Sequence, residues 1–327
     1  SWATGDSARQ VGCRRSGARD GDRTRLPIGG RHSRGAEIIV SSQGQRPGCA
    51  GIVPAVFDTP GGCQYYRFVH DKLERLKTLL RGCGRTLVAY SGGGDSVLLA
   101  KVAHDVLGER ALAVIADSPS LPRRELAEAL ALGEQFGYPV RVIRTRELAN
   151  PSYESNPPDR CYFCKSELFN ELERLCVAEG WETIVYGENA TDTGDFRPGA
   201  RAAAEHRVRA PLKEAGLTKA EIRAISAQLG LPTANKPQMA CLSSRIPYGD
   251  PVTAGALGMI EAAEDFLRDA GFHDVRVRHH RDLARIEVAP AELARLIGSG
   301  LRDQVVQTLK AAGYVYVTVD LEGYRRG

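Results

Sequence analysis

Short apolar runs alternate with amphipathic segments from Phe68 onward in this chain of 327 residues. Short runs bounded by polar or glycine residues indicate buried strands, and apolar residues spaced three and four apart indicate helices. The predicted strands are 86–90, 111–116, 140–145 and 182–186. The predicted helices are 67–81, 96–107, 122–137 and 161–178. This alternation is typical of an α/β fold, in which a parallel sheet carries helices on both faces.

The pattern changes after a predicted helix at 218–229 and a long irregular stretch at 231–252. The elements predicted beyond it are helix 253–270, strands 273–280 and 283–288, helices 291–298 and 301–311, and strand 314–320. Such an order describes a small α+β domain at the C-terminus. Residues 1–66 are rich in Gly, Arg and Ser without a sustained period, which predicts a disordered or spurious extension. We therefore expect two domains, at 67–235 and 236–327.

Composition and charge narrow the class of protein. No apolar run reaches the length of a membrane span and the N-terminus has no signal-peptide core, so we expect a cytoplasmic protein without a membrane partner. Residues 1–66 hold nine Arg and five acidic residues, a surplus of four that equals the net charge of +4 of the whole chain. Residues 67–327 therefore have no net charge, which argues against a large nucleic-acid-binding surface. The eight Cys have irregular spacing, which favours metal binding or reactive chemistry over disulfide bonds.

A glycine-rich turn follows the first predicted strand. Its six residues are Ser91, Gly92, Gly93, Gly94, Asp95 and Ser96. Glycine lets the backbone approach a ligand closely, and the first amides of the following helix favour an anion. The spacing excludes the Gly-x-x-x-x-Gly-Lys-Ser/Thr and Gly-x-Gly-x-x-Gly loops. We interpret the turn as a phosphate-binding loop of another kind; the alternative is an ordinary glycine-rich turn.

Further polar residues follow the other predicted strands. Asp117 and Ser118 come directly after the second predicted strand, so we expect them at the same edge of the sheet as the glycine-rich turn. The fourth strand leads into a polar loop, 187–199, which contains Asp195 and Arg197. Carboxylates in this loop suit Mg²⁺ and the arginine suits a phosphate, whereas the alternative is that these residues cap turns.

Three Cys stand in patterns that point to chemistry. Cys161 and Cys164 form a C-x-x-C, which zinc, redox and iron–sulfur sites all use. Cys241 lies in a loop bracketed by Pro and Gly, where the positive charges of Lys236 and Arg245 would favour its thiolate. The alternative is that Cys241 is a buried loop residue without reactivity.

Two arginines share one face of a predicted C-terminal strand. Arg276 and Arg278 are two residues apart, which places their side chains on the same side of the strand. A pair of this kind suits a phosphate or a carboxylate of a ligand. The other interpretation is a solvated strand edge with alternating charge.

Five segments together resemble the LarE-type ATP-dependent sulfur transferases of the PP-loop ATP pyrophosphatase superfamily, which has the adenine nucleotide alpha hydrolase-like fold. The segments are Ser91–Ser96, Ala116–Pro122, Arg160–Lys165, Gly187–Gly199 and Ala240–Gly249. The resemblance runs from about residue 68 to the C-terminus. It implies that ATP with Mg²⁺ adenylates the carboxylates of pyridinium-3,5-biscarboxylic acid mononucleotide. Sulfur then replaces an oxygen, which yields a thiocarboxylate precursor of the nickel-pincer nucleotide, the cofactor of lactate racemase.

The resemblance also implies residue roles. ATP contacts are expected from the loop Ser91–Ser96 and from Asp117 and Ser118. Catalytic roles are expected for Asp95, Cys241 and Arg245. The expected substrate-binding residues are Arg245, Arg276, Arg278, Asp195 and Arg197. The resemblance also implies that the protein forms a homo-oligomer and receives sulfur from a donor protein or from sulfide.

The family has two ways of delivering sulfur. In one branch the sulfur comes from the Cys at the position of Cys241, which is left as dehydroalanine. In the other branch this Cys joins the C-x-x-C to bind a [4Fe-4S] cluster whose fourth iron carries the transferred sulfide. Since Cys161, Cys164 and Cys241 are all present, we favour the cluster, with three ligands and one open iron. The sacrificial Cys241 is the second hypothesis.

Other classes of function remain open at this level. A tRNA thiolation enzyme shares the ATP loop and a three-Cys cluster, but it should carry a basic RNA-binding surface. A nucleotide-binding regulator without catalysis has no need for Asp95 or for three spaced Cys. An amide-forming synthetase is a further alternative, although no Cys/His arrangement for a glutaminase is evident. The neutral charge and the 240–249 segment favour the sulfur transferase.

Overall fold

Four parallel strands in the order β3-β2-β1-β4 form the main sheet. The computed structural model describes residues 60–194, 198–237 and 240–325, all of which belong to the unit Pro54–Gly327. The strands of the main sheet are β1 (Thr86–Tyr90), β2 (Ala111–Asp117), β3 (Val140–Arg144) and β4 (Thr183–Tyr186). The helices are α1 (Pro60–Arg81), α2 (Gly94–Leu107), α3 (Arg123–Phe136), α4 (Pro151–Glu154), α5 (Arg160–Glu179), α6 (Pro198–Glu205), α7 (Pro211–Glu214), α8 (Lys219–Gln228), α9 (Ala254–Asp269), α10 (Leu293–Ile297) and α11 (Ser299–Ala311).

Helices cover both faces of this sheet, as the sequence predicts. Successive side chains of a strand point to opposite faces, so Val88 and Tyr90 pack in one apolar core while Leu87 and Ala89 pack in the other. The first core includes side chains of α1, α2, α3 and α8, and the second includes those of α5 and α6. Every residue of β1 is buried, which explains its continuous apolar run.

The smaller sheet lies in the C-terminal region. Its strands are β5 (Val275–His280), β6 (Leu283–Val288) and β7 (Tyr316–Val319), in the order β5-β6-β7. Strands β5 and β6 are antiparallel, whereas β6 and β7 are parallel. Helices α9, α10 and α11 contribute to the core that covers this sheet. The predicted α+β region is therefore confirmed, while the domain boundary at 235/236 stays a prediction.

The N-terminal helix begins earlier than the sequence predicts. Helix α1 starts at Pro60 rather than at residue 67, so the predicted extension 1–66 ends inside a helix. Pro is tolerated in the first turn of a helix, where its missing N–H has no partner to lose. The remainder of the predicted extension, 1–59, lies outside the described residues. In the part of the chain that the structure describes, no helix is long and apolar enough to cross a membrane.

The strand order creates a crevice beside β1. The chain proceeds from β1 to β2 and β3 on one side and returns to β4 on the other side of β1. The loops that leave β1 and β4 therefore diverge from neighbouring strands at the same edge of the sheet. In open α/β sheets this is where ligands bind.

Candidate active site

The glycine-rich loop after β1 is closed by its own two serines. Ser96 Oγ donates to the carbonyl of Gly93 (3.0 Å) and lies 3.1 Å from Ser91 Oγ. The N–H of Ser91 donates to Ser96 Oγ at 3.2 Å. Helix α2 then begins at Gly94, and the first N–H groups of a helix attract anions. The turn therefore forms as a closed loop, while its role in phosphate binding stays a prediction.

The loop after β4 approaches this turn closely. A Cβ atom on Gly187 would lie 3.0 Å from the backbone N of Ser96, so a larger residue would push the two loops apart. Asn189, two residues further on, is buried, and its Nδ2 donates to Asp95 Oδ2 at 3.1 Å. The polar residues after β1 and β4 therefore form one site.

Asp95 is the centre of this arrangement. Its Oδ1 accepts from Lys219 Nζ at 2.6 Å, while its Oδ2 accepts from Asn189. The backbone N–H of Lys219 donates to Thr191 Oγ1 at 3.0 Å, which anchors the start of α8 to the loop after β4. Asp95 thus joins three elements. The sequence analysis did not identify Lys219. A lysine in the first turn of a helix is unfavourable beside the positive end of the helix dipole, and this placement was the signal that could have identified it.

A cavity of about 520 Å³ opens at this edge of the sheet. Its volume lies within the usual range for small-molecule sites. Residues from six separate segments line it, among them Asp95, Lys165, Asn189, Lys219, Lys236 and Cys241. The glycine-rich loop and Cys241, which are far apart in the sequence, therefore face the same space.

The segment 236–250, here called the cysteine loop, is fastened at its start to α3 and to the turn after β2. Lys236 Nζ pairs with Glu125 (2.6 Å) and Glu128 (2.9 Å). Burial lowers the pKa of Lys236, but these hydrogen bonds outweigh it and raise the pKa overall. The N–H of Leu242 donates to the carbonyl of Ser120 at 2.9 Å. These contacts hold the exposed Cys241 at the cavity wall.

Arg245 lies inside the protein rather than in the cavity. Its guanidinium pairs with Glu264 of α9 at 2.8 and 2.9 Å, and both side chains are fully buried. It also donates to the carbonyls of Ala240 (2.7 Å) and Cys241 (2.9 Å). Although burial raises the pKa of Glu264, the hydrogen bonds and charge of Arg245 lower it overall. This placement favours a role in holding the cysteine loop over the predicted contact with substrate.

Arg276 and Arg278 also lie outside the cavity lining. Arg278 pairs with Glu287 at 2.9 and 2.8 Å, and it donates to the carbonyl of Ser244 in the cysteine loop at 3.2 Å. Arg276 is buried, donates to the carbonyl of Val275 at 2.7 Å and stacks over the ring of Tyr324. Burial lowers the pKa of Arg276. Their predicted contacts with substrate stay predictions.

Two other predicted site residues, Asp117 and Ser118, lie at the end of β2. Asp117 pairs with Arg123, and Ser118 is buried 2.7 Å from Ser120 Oγ. Neither lines the cavity, although Leu121 and Pro122 of the same turn do. Asp195 and Arg197 lie outside the described residues.

The three predicted cluster ligands interact with one another. Burial, together with the charges of Glu147 and Cys241, raises the pKa of Cys164 to about 12. Loss of surrounding water raises the pKa of Cys161, and the charge of Cys241 adds to this effect. Three neighbouring thiols have the donor chemistry of an iron–sulfur site. Among the described residues, however, no three His, Cys, Asp or Glu side chains are arranged to hold a metal ion, so the thiols would have to turn towards a common point.

Comparison with known proteins shows how far the similarity extends. An uncharacterized protein of Synechocystis sp. is 46% identical over 259 residues, 79% of this chain and 97% of that protein. The pyridinium-3,5-bisthiocarboxylic acid mononucleotide synthase of Lactiplantibacillus plantarum is 36% identical over 257 residues, 78% of this chain and 92% of that protein. A glutamine-hydrolyzing GMP synthase component of Methanococcus maripaludis is 26% identical over 179 residues, 50% of this chain and 56% of that protein. No family model matches the chain.

Proposed function

The chain belongs to the family of LarE-type ATP-dependent sulfur transferases, and we propose that it makes pyridinium-3,5-bisthiocarboxylic acid mononucleotide, the product named by its curated relative. The proposed substrate is the corresponding biscarboxylic acid mononucleotide, which receives sulfur in place of carboxylate oxygen. The observation that carries this proposal is the shared cavity. The glycine-rich loop and Cys241 line it together, so an activated carboxylate formed at the loop would lie near a thiol.

The activation step uses ATP because a carboxylate resists nucleophiles. A carboxylate oxygen of the substrate attacks the α-phosphorus of ATP, pyrophosphate leaves, and an acyl adenylate forms. The amides at the start of α2 and the ammonium of Lys219 are suited to the negative charge of the phosphates. Asp95 keeps that ammonium in place. Mg²⁺ is proposed to accompany ATP, and the carboxylates of Asp95 and Asp192 face the cavity.

The second step forms the carbon–sulfur bond. A sulfur nucleophile attacks the carbonyl carbon of the adenylate, and AMP leaves with the oxygen that ATP had activated. We propose that Cys161, Cys164 and Cys241 hold a [4Fe-4S] cluster, which when bound would supply the sulfur from an iron without a Cys ligand. The position of Cys241 at the cavity supports this proposal, as does the packing of Cys164 against the buried cluster that contains Leu242, the residue next to Cys241.

The activation step is tested by pyrophosphate release. The purified protein is incubated with ATP, Mg²⁺ and pyridinium-3,5-biscarboxylic acid mononucleotide, and pyrophosphate and the thiocarboxylate product are measured. We expect both to depend on the dicarboxylate. Absence of dicarboxylate-dependent pyrophosphate release would contradict the proposed function and favour a nucleotide-binding regulator. A salt-sensitive complex with tRNA, together with thiolated tRNA as product, would favour the tRNA enzyme.

The source of the sulfur is tested on protein purified without oxygen. We expect iron, acid-labile sulfide and a broad visible absorbance, all lost together in a Cys161→Ser, Cys164→Ser double variant. The competing hypothesis predicts a colourless protein that transfers one sulfur and loses about 34 Da at Cys241, the mass of H₂S leaving a thiol. That mass change in iron-free, active protein would overturn the cluster proposal.

A further inference from the structure

One asparagine contacts both the cysteine loop and the start of the helix that carries the C-x-x-C. Asn156 lies between α4 and α5 and is fully buried. Its backbone has a φ of +55°, in the left-handed region that residues other than glycine rarely occupy. Asparagine tolerates this conformation better than most residues because its short polar side chain forms local hydrogen bonds.

The side-chain amide of Asn156 binds the far end of the cysteine loop. Its Nδ2 donates to the carbonyls of Pro247 (2.7 Å) and Asp250 (2.9 Å). The carbonyl of Asn156 in turn accepts from the N–H of Gly249 at 3.0 Å. This part of the loop therefore depends on one residue of the α4–α5 connection for both donor and acceptor contacts.

The remaining polar atom of Asn156 faces the C-x-x-C. Its Oδ1 accepts from Nη1 of Arg160, whose buried side chain directly precedes Cys161 at the start of α5. The guanidinium of Arg160 also lies 5.8 Å from the centre of the Tyr248 ring, in the cysteine loop. One amide group thus contacts the segment that carries Cys161 and Cys164 and the segment that carries Cys241.

We propose that Asn156 is a positioning residue that sets the distance between Cys241 and the C-x-x-C pair. The proposal rests on the proposed function, in which these three thiols act together. Only asparagine combines a tolerated left-handed backbone, two N–H donors for carbonyls and an acceptor for an arginine. Aspartate keeps the acceptor but has no N–H to donate, and it would place a negative charge against carbonyl oxygens.

The test measures thiol proximity directly, on full-length, metal-free protein without ATP. A short bifunctional thiol reagent is added, and peptide mass spectrometry quantifies the cross-link between Cys241 and Cys161 or Cys164. Asn156→Asp loses the two hydrogen bonds that Nδ2 donates, and Asn156→Gly also loses the one that Oδ1 accepts, while glycine permits the backbone conformation. We expect the yield to fall about tenfold or more in both variants. The matched control is Asn150→Gly, because Asn150 is exposed and caps α4 without contacting the cysteine loop.

A second readout separates positioning from general damage to the fold. Pyrophosphate release requires the glycine-rich loop, which Asn156 does not contact, so it should remain while sulfur transfer falls. Wild-type cross-link yields in both Asn156 variants, or equal losses in Asn150→Gly, would overturn the inference, as would the absence of any Cys241 cross-link in the wild type. If the wild type released no pyrophosphate, the proposed function would fail while the cross-link comparison still decided the role of Asn156.

Discussion

At the residue scale, the carboxylate of Asp95 joins two other segments that line the cavity. It accepts from Lys219 at 2.6 Å and from Asn189 at 3.1 Å. Asp95→Asn keeps the shape of the side chain but releases the Lys219 ammonium from its partner. We expect dicarboxylate-dependent pyrophosphate release to fall about a hundredfold, the usual effect of misplacing one charge-stabilising group.

The control for this change is Asp105→Asn on the same helix. Asp105 pairs with Lys101 on the surface of α2. An exposed pair at this spacing contributes about 0.3–0.5 kcal/mol, so activity and stability should be nearly unchanged. Equal activity of the two variants would show that the charge of Asp95 is not needed for adenylation.

The sequence reveals some residues of the site better than others. Asp95 could be identified because it follows glycines within a short motif, where local spacing is the signal. The partners Lys219 and Glu264 are harder to identify. Lys219 meets Asp95 across 124 residues, and its one local signal is a lysine in the first turn of a helix. Glu264 lies on a helix, whereas Arg245 lies in a loop without a period. For Arg245 the sequence suggested a contact with substrate that the structure does not favour. Its charge is visible in the sequence, but its pairing with the buried carboxylate of Glu264 is not.

At the level of elements, the turn after β1 depends on the absence of a side chain at one position. Gly92 has a φ of +70°, and a Cβ there would lie 2.8 Å from the Cβ of Ala129 in α3. Gly92→Ala therefore adds a steric clash to a backbone cost of about 1–2 kcal/mol. We expect a lower free energy of unfolding in urea and loss of most pyrophosphate release, as α3 and the phosphate loop move apart.

Gly137→Ala separates these two costs. Gly137 has a φ of +71° at the C-terminus of α3, but a Cβ there meets no atom within 4 Å. It should show the backbone cost alone, with normal pyrophosphate release. If both variants lost activity equally, close packing of the loop on α3 would not be what shapes the phosphate site.

A buried ion pair joins α9 to the cysteine loop, and its removal should be costly. Glu264→Gln leaves Arg245 buried without its full counter-charge, and breaking such a pair usually costs about 3–5 kcal/mol. Asp265→Asn is the control, since Asp265 is the adjacent residue and pairs with Arg124 near the surface. Urea unfolding at pH 7 measures both, and equal losses would contradict the importance of the buried pair.

The same pair predicts a pH dependence. The pKa of Glu264 is lowered in the folded protein, so its stabilisation is complete above the unfolded-state value of about 4.3 and is lost as the pH falls through the folded-state pKa. The stability difference between wild type and Glu264→Gln should be constant from neutral pH down to this region and shrink below it. Urea midpoints measured across this range test the direction, and a difference that grows on acidification would contradict it.

Helices and strands differ in how clearly the sequence pattern predicts them. Strands β1, β2 and β4 were predictable because each contains a short apolar run, and the long helices because their apolar faces repeat. Helices α4 and α7 have four residues each, too few for a period, and residues 231–252 have none. Their order comes from long-range contacts, such as the packing of Leu242 and Ile246 with Tyr153 in one buried cluster.

At the scale of the whole molecule, the fold class and the cavity follow from the order of strands. A strand order that reverses beside β1 brings the loops after β1 and β4 together, and the sequence predicts both loops. The position of the cysteine loop on this cavity could not be read from periodicity. It was expected only through resemblance to a family, because its contacts with Glu125, Ser120 and Glu264 join segments remote in sequence.

The division of the chain near Pro54 leads to a prediction about its N-terminal part. Every residue placed in the cavity or the cysteine loop lies in the unit Pro54–Gly327. A shortened protein that begins at Pro54 should therefore retain pyrophosphate release and its unfolding midpoint. A further deletion through Gly82 removes α1, whose Val69, Leu76 and Leu80 are buried in the core against α2 and β1.

Burying each of these aliphatic side chains contributes about 1.5–3 kcal/mol, so together they approach the 5–15 kcal/mol that stabilises a typical domain. We expect the longer deletion to unfold at low urea concentration or to be insoluble, with no activity, while the shorter deletion matches the full chain in both measurements. Loss of pyrophosphate release in the shorter deletion would contradict this prediction, because the segment before Pro54 would then contribute to the site. Folding without α1 would instead show that the core between α2 and the sheet is sufficient without it.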